Sequence, residues 1–371
     1  MTPTITPMRP RVAIDAHTLG RRATGNETYV RGLISGLTRE LAAEAIVLAD
    51  RAAELPPSFT GRVVRLSHRH PAPRLLLELA TPRRQWGADL LHVQYVRPPR
   101  CDAGCVTTIH DISFEHFADL FPRRTRARMR ITIPWSARHS RVVLTGSEHA
   151  RNDILTAYGL PPERVKVTPY AADPAFVPMS PPRVEAKLQA LGITPGYLLC
   201  VGNVQPRKNL RGLLRAYESL HRTIRPRLVV VGQASWRSAD VYSAVERAGI
   251  AADVHFTGFV STDQLVALYN GAAAFAYPSL YEGFGLPVLE ALACGVPTLT
   301  SDRSSLPEVA GDAALLVDPE SIEEMRVGLE RLLCDTDLRK RLAEAGPRRA
   351  RAFSWRRCAE LTVRAYRDAS A

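Results

Sequence analysis

Short β-branched runs alternate with helix-period segments through residues 11–145, and the same pattern restarts near residue 196 after an intervening cluster of prolines. Together these predict an α/β protein of two Rossmann-like domains facing a central cleft. In the first half, the runs at 11–16, 45–49, 90–95, 106–109 and 142–145 read as parallel strands joined by crossover helices. Prolines at 169, 174, 178, 181 and 182 are incompatible with a helix or central strand over 168–182, which reads as a linker. Six further runs, at 197–201, 228–231, 254–256, 272–277, 297–300 and 314–317, read as buried strands of the second domain. The expected boundaries are 1–175 for an N-terminal Rossmann-like domain and 176–350 for a C-terminal, ligand-binding Rossmann-like domain, with 351–371 as a C-terminal helix packing back on the first through Phe353, Leu361, Val363 and Tyr366. Facing domains of this kind collect loops and helix N-termini at the carboxyl ends of their strands, so a ligand is expected in the groove.

Composition narrows the class. At 371 residues, 46% hydrophobic and 23% charged, the chain is long enough for two cores. It has no apolar run near the roughly 20 residues of a membrane span, which argues against an integral membrane protein. Residues 1–10 are polar and proline-punctuated, unlike a secretory signal, so the expected location is cytoplasmic. Of the six cysteines only Cys101 and Cys105 are neighbours, with no second pair to complete a zinc site, and no metal is expected. The net charge of +12 is concentrated in the first 175 residues, which points to an anionic partner for that half.

Residues 279–295, SLYEGFGLPVLEALACG, combine a strand end, two glycines, a proline at a helix start and a closing glycine. Gly283 and Gly285 let backbone approach a ligand, so the amides around Phe284, Gly285 and Leu286 can face an anion such as phosphate. An ordinary glycine-turned helix start would look the same; the flanking Glu282 and Glu290 shift the balance. Carboxylates repel phosphate but accept hydrogen bonds from the paired hydroxyls of a sugar or ribose, and Glu290 is placed in the first helical turn. Upstream, VGNVQPRKNL at 201–210 puts Arg207 and Lys208 at the start of the following helix, where the dipole already disfavours cations unless an anion such as a diphosphate sits opposite. Lysine is rare here, occurring only at 166, 187, 208 and 340. In the first domain, LGRRATGNETYV at 19–30 offers Gly25 as a close approach to the same phosphates, but it is not GxGxxG and does not support a nicotinamide enzyme. His110 follows the strand at 106–109 and is expected to face the cleft.

In order along the chain, IHD at 109–111, SEHAR at 147–151, PRKN at 206–209 and the run from PSLYEGFG at 278–285 through EGFGLPVLEALACGVP to SSLPEVAGDAALLVDP resemble the retaining, nucleotide-sugar-dependent glycosyltransferases of the GT-B fold. That group includes bacterial α-mannosyltransferases, and the similarity spans nearly the whole chain. The resemblance implies that Glu282 contacts the donor sugar, Glu290 the ribose, and Lys208 with Arg207 the diphosphate, aided by amides near Gly285 and Leu286. It implies that His110 lies beside the transferred sugar and that backbone at Val260 meets the nucleobase. Many relatives carry arginine after the glycine matching Gly202, whereas this chain has Asn203; either Arg207 compensates or the phosphate grip is looser. The group works without metal, with Lys208 as the cation, and the chain's one Asp-x-Asp, at 335–337, lies away from these motifs.

The function implied is transfer of a hexose, mannose from GDP-mannose before others, to a growing glycan or lipid-linked acceptor in bacterial surface polysaccharide synthesis. In a retaining reaction the acceptor hydroxyl attacks the face the diphosphate leaves. The donor assignment rests on similarity of TGNETYVRGL and TIHDISFEHF to mannosyltransferases. Alternatives are a UDP-sugar-dependent glucosyl- or N-acetylglucosaminyltransferase, a non-catalytic nucleotide-sugar-binding partner, or an epimerase. The arginine-rich stretch 123–141, with Ile131, Ile133 and Trp135, suggests a peripheral anionic membrane surface as a partner, with a solvated arginine face as the competing explanation. No stacking platform or known module points to nucleic acid.

Overall fold

The computed structural model describes residues 10–21, 25–37, 44–67, 70, 73–234 and 238–370. It divides into two compact units, Met1–Tyr170 with Ser354–Ala371, and Ala171–Phe353. Both are α/β.

The first unit holds a seven-stranded parallel sheet: β1 (Val12–Asp15), β2 (Ala45–Asp50), β3 (Arg62–Leu66), β4 (Leu90–Gln94), β5 (Gly104–Thr108), β6 (Val142–Thr145) and β7 (Val165–Val167), in the order β3-β2-β1-β4-β5-β6-β7. Strands β1, β2, β4 and β6 are buried throughout, as expected of parallel strands covered on both faces. Two edge strands, β3 and β7, were not foreseen. β3 begins and nearly ends on exposed arginines, and β7 has only three residues, so neither presents an apolar run. The strand expected at 106–109 instead spans Gly104–Thr108, leaving His110 two residues beyond its end.

Helix α1 (Gly25–Gly36) packs against the C-terminal helix α2 (Trp355–Ser370). The close approach requires glycine: a Cβ on Gly32 would lie 2.1 Å from the Trp355 ring, and one on Gly36 2.1 Å from the Trp355 carbonyl oxygen. The buried face of α2 is Trp355, Cys358, Ala359, Thr362, Ala365, Tyr366 and Ala369. Of the four apolar positions expected to anchor this segment, Tyr366 is buried; Phe353 precedes the helix, and Leu361 and Val363 are only half-buried beside small residues that pack more closely.

The second unit holds a six-stranded parallel sheet: β8 (Tyr197–Val201), β9 (Leu228–Val231), β10 (Val254–Gly258), β11 (Ala272–Tyr277), β12 (Thr298–Ser301) and β13 (Leu315–Val317), in the order β10-β9-β8-β11-β12-β13. Strand order reverses at β8, so the loops leaving β8 and β11 open on the switch-point crevice where ligands of such sheets bind. The proline-rich stretch is not linker to its end: Pro181 and Pro182 begin the helix Pro181–Gln189, where proline's fixed φ suits the first turn and its missing N–H costs nothing.

Candidate functional site

The loop leaving β8 runs through Gly202 to a 3-10 turn, Pro206–Lys208, and then Asn209, whose left-handed φ of 54° caps the helix Leu210–Glu218. Arg207 and Lys208 therefore precede the α-helix rather than lying at its start, and the bend at Asn209 turns their side chains toward the loop after β11. The two loops are tied together by backbone, as the Leu280 N–H donates to the Arg207 carbonyl at 3.0 Å. This is how residues distant in sequence meet at one switch point.

Glu282 is the centre of that meeting. Its Oε1 accepts from Lys208 Nζ at 2.7 Å, from the Ser279 hydroxyl at 2.6 Å and from the Tyr277 hydroxyl at 3.0 Å, while Oε2 lies 3.1 Å from Arg207 Nη1. Lys208 also sits 5.0 Å over the Tyr277 ring. Burial alone would raise the Glu282 pKa, but Arg207 and Lys208, with hydrogen bonds from Lys208 and Ser279, hold it down at about 2. The Glu282 N–H donates to Ser304 Oγ at 3.0 Å, and the Ser305 hydroxyl reaches the carbonyls of Glu282 and Phe284, which fixes the Gly283–Phe284 turn from below. The acidic and basic side chains assigned by sequence to opposite roles are thus bonded to each other.

Gly285 follows with φ 108°, a conformation open to glycine, and a Cβ there would lie 2.6 Å from Leu306 Cδ2. It caps the helix Leu286–Ala293, whose second residue is Pro287. Amides in the first turn of such a helix have no intrahelical acceptor and carry the positive end of its dipole, as an anion requires. Glu290 lies beyond that first turn, correcting the sequence placement: it is buried on the inner face of the helix, and its Oε2 accepts from the Tyr269 hydroxyl at 3.0 Å. With no cation paired to it among the described residues, burial pushes its pKa up to about 8, against the lowering effect of Tyr269 and helped by Asp173. Val260 lies half-buried in the turn after β10, next to Ser261, which caps the helix Thr262–Gly271.

In the first unit His110 is buried rather than open. Its Nδ1 shares a hydrogen bond with the Tyr170 hydroxyl at 2.7 Å and its Nε2 one with Gln94 Oε1 at 2.9 Å, within a ring of Tyr29, Tyr95 and Tyr170. Burial drives its pKa down to about 4, so the imidazole is neutral near pH 7 and can serve as a hydrogen-bonding group but not as a standing cation. Gly25 is exposed at the first position of α1; residues 22–24 of the segment around it lie outside the described residues.

The sequence did not single out Tyr277, Ser279, Tyr269, Gln94 or Tyr170, which hold these groups in place. Among the described residues, non-glycine positions with left-handed backbone are Tyr95, Asn209 and Ser304, and each adjoins a group above, the clustering expected of strain near functional sites.

The family model described as Glycosyl transferases group 1 matches residues 185–349, and that described as Glycosyltransferase Family 4 matches residues 23–176. The O-antigen chain mannosyltransferase B of Escherichia coli is 34% identical to this chain over 87% of each protein. The serotype-specific mannosyltransferase WbdA of Escherichia coli is 31% identical over 52% of this chain, which spans only 24% of that longer protein. Among solved structures, a sucrose-phosphate synthase from Thermosynechococcus elongatus superposes with a TM-score of 0.77 at 20% identity, covering 97% of this chain and 98% of that one, which speaks to the fold.

Proposed function

The chain belongs to the GT-B glycosyltransferases and is a hexosyltransferase, and from that premise we propose that it moves mannose from GDP-mannose, with retention of configuration, to a growing glycan or lipid-linked acceptor in bacterial surface polysaccharide synthesis. The observation that carries the donor reading is the convergence of Arg207, Lys208 and Glu282 on the switch point beside the Gly283–Gly285 turn. Mannose and the polysaccharide context are supported by the names of the two Escherichia coli relatives.

Cleavage of the bond between the anomeric carbon and the diphosphate oxygen leaves negative charge on the leaving group and oxocarbenium character on the sugar. Lys208 and Arg207 are the cations assigned to that charge, aided by the amides of Gly285 and Leu286, in place of a metal ion. Bound diphosphate would draw the two cations partly from Glu282, freeing its oxygens to accept from donor-sugar hydroxyls. Glu290 is assigned to the ribose diol and backbone at Val260 to the base. His110, held neutral by burial, is assigned a hydrogen bond to the transferred sugar, and Gly25 a close backbone approach to the donor. The acceptor hydroxyl attacks the face from which the diphosphate departs, and a departing phosphate oxygen takes its proton.

No described helix is long and apolar enough to cross a membrane. The arginine stretch forms a helix, Arg123–His139, exposing Arg124, Arg128 and Ile131, the last 73% exposed. We assign this face to the anionic surface that carries a lipid-linked acceptor.

The test incubates the purified protein with GDP-mannose, UDP-glucose or UDP-N-acetylglucosamine and a mannose-terminated acceptor, and reads the anomeric configuration of the product by NMR. An α-mannoside formed from GDP-mannose alone is the expected result. Turnover of a UDP-sugar but not GDP-mannose overturns the donor assignment, and an inverted product overturns retention.

A further inference from the structure

Among the described residues the first unit buries two histidines, and their partners differ in kind. His92, on β4, meets hydroxyls at both ring nitrogens, Tyr366 at 2.6 Å from Nδ1 and Thr108 at 2.7 Å from Nε2. A hydroxyl donates or accepts as its neighbour requires, so either tautomer of His92 is accommodated. His110 meets one hydroxyl, that of Tyr170 at Nδ1, and one amide oxygen, Gln94 Oε1 at Nε2. An amide oxygen accepts and cannot donate. Backbone builds this placement: Gln94 is the last residue of β4 and lies in register with Thr108 of β5, two residues before His110. The chain then turns at Tyr95, whose φ is 59°, and the Tyr95 N–H donates to the Thr108 carbonyl at 2.8 Å. The Gln94 amide nitrogen donates to the Thr18 hydroxyl at 3.4 Å, which leaves Oε1 toward the imidazole. On the other side Tyr170 is stacked on Trp355, with ring centres 6.2 Å apart and planes 15° from parallel, so its hydroxyl is carried on a fixed ring.

Burial keeps the His110 ring neutral, so it carries one proton, and which nitrogen holds that proton decides what the ring offers a ligand. A proton on Nδ1 would leave the Nε2 lone pair facing those of Gln94 Oε1 at 2.9 Å, two buried acceptors with no hydrogen between them. A proton on Nε2 satisfies both contacts: Nε2–H donates to Gln94 and the Tyr170 hydroxyl donates to Nδ1. We propose that Gln94 is a positioning residue for sugar transfer, fixing His110 as the Nε2–H tautomer so that the ring offers a hydrogen to a substrate oxygen. With His110 assigned to the transferred sugar, on which this role rests, the sugar oxygen it meets must be an acceptor, and it competes with Gln94 Oε1 for the hydrogen. Tyr170 orients the ring but, having a hydroxyl that works in either sense, does not choose the tautomer.

The experiment records long-range proton–nitrogen NMR spectra of the full-length protein labelled with ¹⁵N-histidine, in which a protonated ring nitrogen and a bare one resonate far apart. His110 is assigned by the signals missing in His110→Asn. The expected result is a proton on Nε2 in the unaltered protein, and also in Tyr170→Phe, which keeps the ring but not the hydroxyl. In Gln94→Met, which keeps the length of the side chain and removes the amide oxygen, a form protonated on Nδ1 should appear while the His92 signals stay as they were. With the sugar nucleotide that the unaltered protein turns over, kcat of Gln94→Met should fall between about two- and tenfold, up to the worth of one hydrogen bond. A proton on Nδ1 in the unaltered protein overturns the proposal, as does a proton that stays on Nε2 in Gln94→Met or that moves there without a fall in kcat. A proton that moves in Tyr170→Phe gives the choice of tautomer to Tyr170 and overturns the role of Gln94. Failure of GDP-mannose as donor shows in the unaltered protein and leaves these readouts standing, since the spectra need no substrate.

Discussion

The loop that carries Glu282 and the helix that carries Glu290 present the same side chain at nearly the same burial, 7% and 8% exposed, yet in opposite charge states. Glu282 has two cations and two hydroxyls on its oxygens and is held down at about 2; Glu290 has a tyrosine hydroxyl and, among the described residues, no cation, and is pushed up to about 8. Burial sets the cost of a charge, and partners decide whether it is met. One segment thereby holds a permanent carboxylate tied to the phosphate cations and, a helical turn and more away, a carboxyl group ready to change charge when a ligand arrives.

Removing the ionised member should have the largest effect. Glu282→Ala leaves Arg207 and Lys208 facing each other without their shared carboxylate, and breaking a buried pair in this way typically costs about 3–5 kcal/mol. Urea unfolding measures it; a loss below about 1 kcal/mol would mean the cluster is held by the loops and not by the charge. The acid limb carries the same information. A carboxyl depressed from 4.5 to about 2 contributes stability that is complete above pH 4.5 and lost as pH falls toward 2, so Glu282→Gln should flatten the unfolding curve across that window. Lys208→Ala comes next: loss of one preorganised donor to the leaving group is expected to lower kcat on the order of 10²–10³, with the Arg207 contact keeping Glu282 ionised. A kcat within a few-fold of the unaltered enzyme would transfer the leaving-group role to Arg207.

Gly285→Ala tests the turn between the two carboxylates. Its φ of 108° and the Leu306 methyl 2.6 Å from where the new Cβ would sit predict strain of about 1–3 kcal/mol, read as a lower Tm together with weaker donor binding. An unchanged Tm would show that the Gly285 turn relaxes freely and does not hold the amides in place.

The sheets were legible because a parallel strand covered on both faces must be a continuous apolar run: Val142–Thr145, Tyr197–Val201, Leu228–Val231 and Ala272–Tyr277 were placed without error. Arg62–Leu66 escaped because an edge strand tolerates arginines where a central one cannot. In the site, the charges and glycines could be read, since Lys208, Glu282 and Gly285 are costly in a loop unless a ligand or a turn needs them. The direct bond between Lys208 and Glu282 could not, because sequence gives residue types at a switch point and not which of them are close enough to pair. Tyr277, Ser279 and Tyr269 were hidden for a different reason: on a strand end or a helix they look like ordinary core, and only the direction of a hydroxyl distinguishes them. Asn209 did carry a readable signal, as asparagine before a helix is among the residues most tolerant of a left-handed φ.

The smallest effect is the most discriminating, because it separates the two carboxylates by their response to pH alone. If the ionised form of Glu290 accepts from a ribose diol, donor affinity should rise as the group titrates, improving Kd roughly tenfold from pH 7 to pH 9 for a carboxyl near 8, and binding at pH 7 should release a proton. Calorimetry in two buffers of different ionisation enthalpy reads that proton directly. The stability signature has the opposite sense from that of Glu282: a carboxyl raised from 4.5 to about 8 favours the fold fully below pH 4.5 and loses that advantage as pH climbs toward 8, so the apo protein should weaken over that interval while its donor complex strengthens. Glu290→Gln keeps the hydrogen bond with Tyr269 but cannot titrate, and should remove both trends together. A variant that abolished the stability slope but left the pH dependence of donor binding intact would place the ribose contact on another residue and leave Glu290 as a buried acid of the fold.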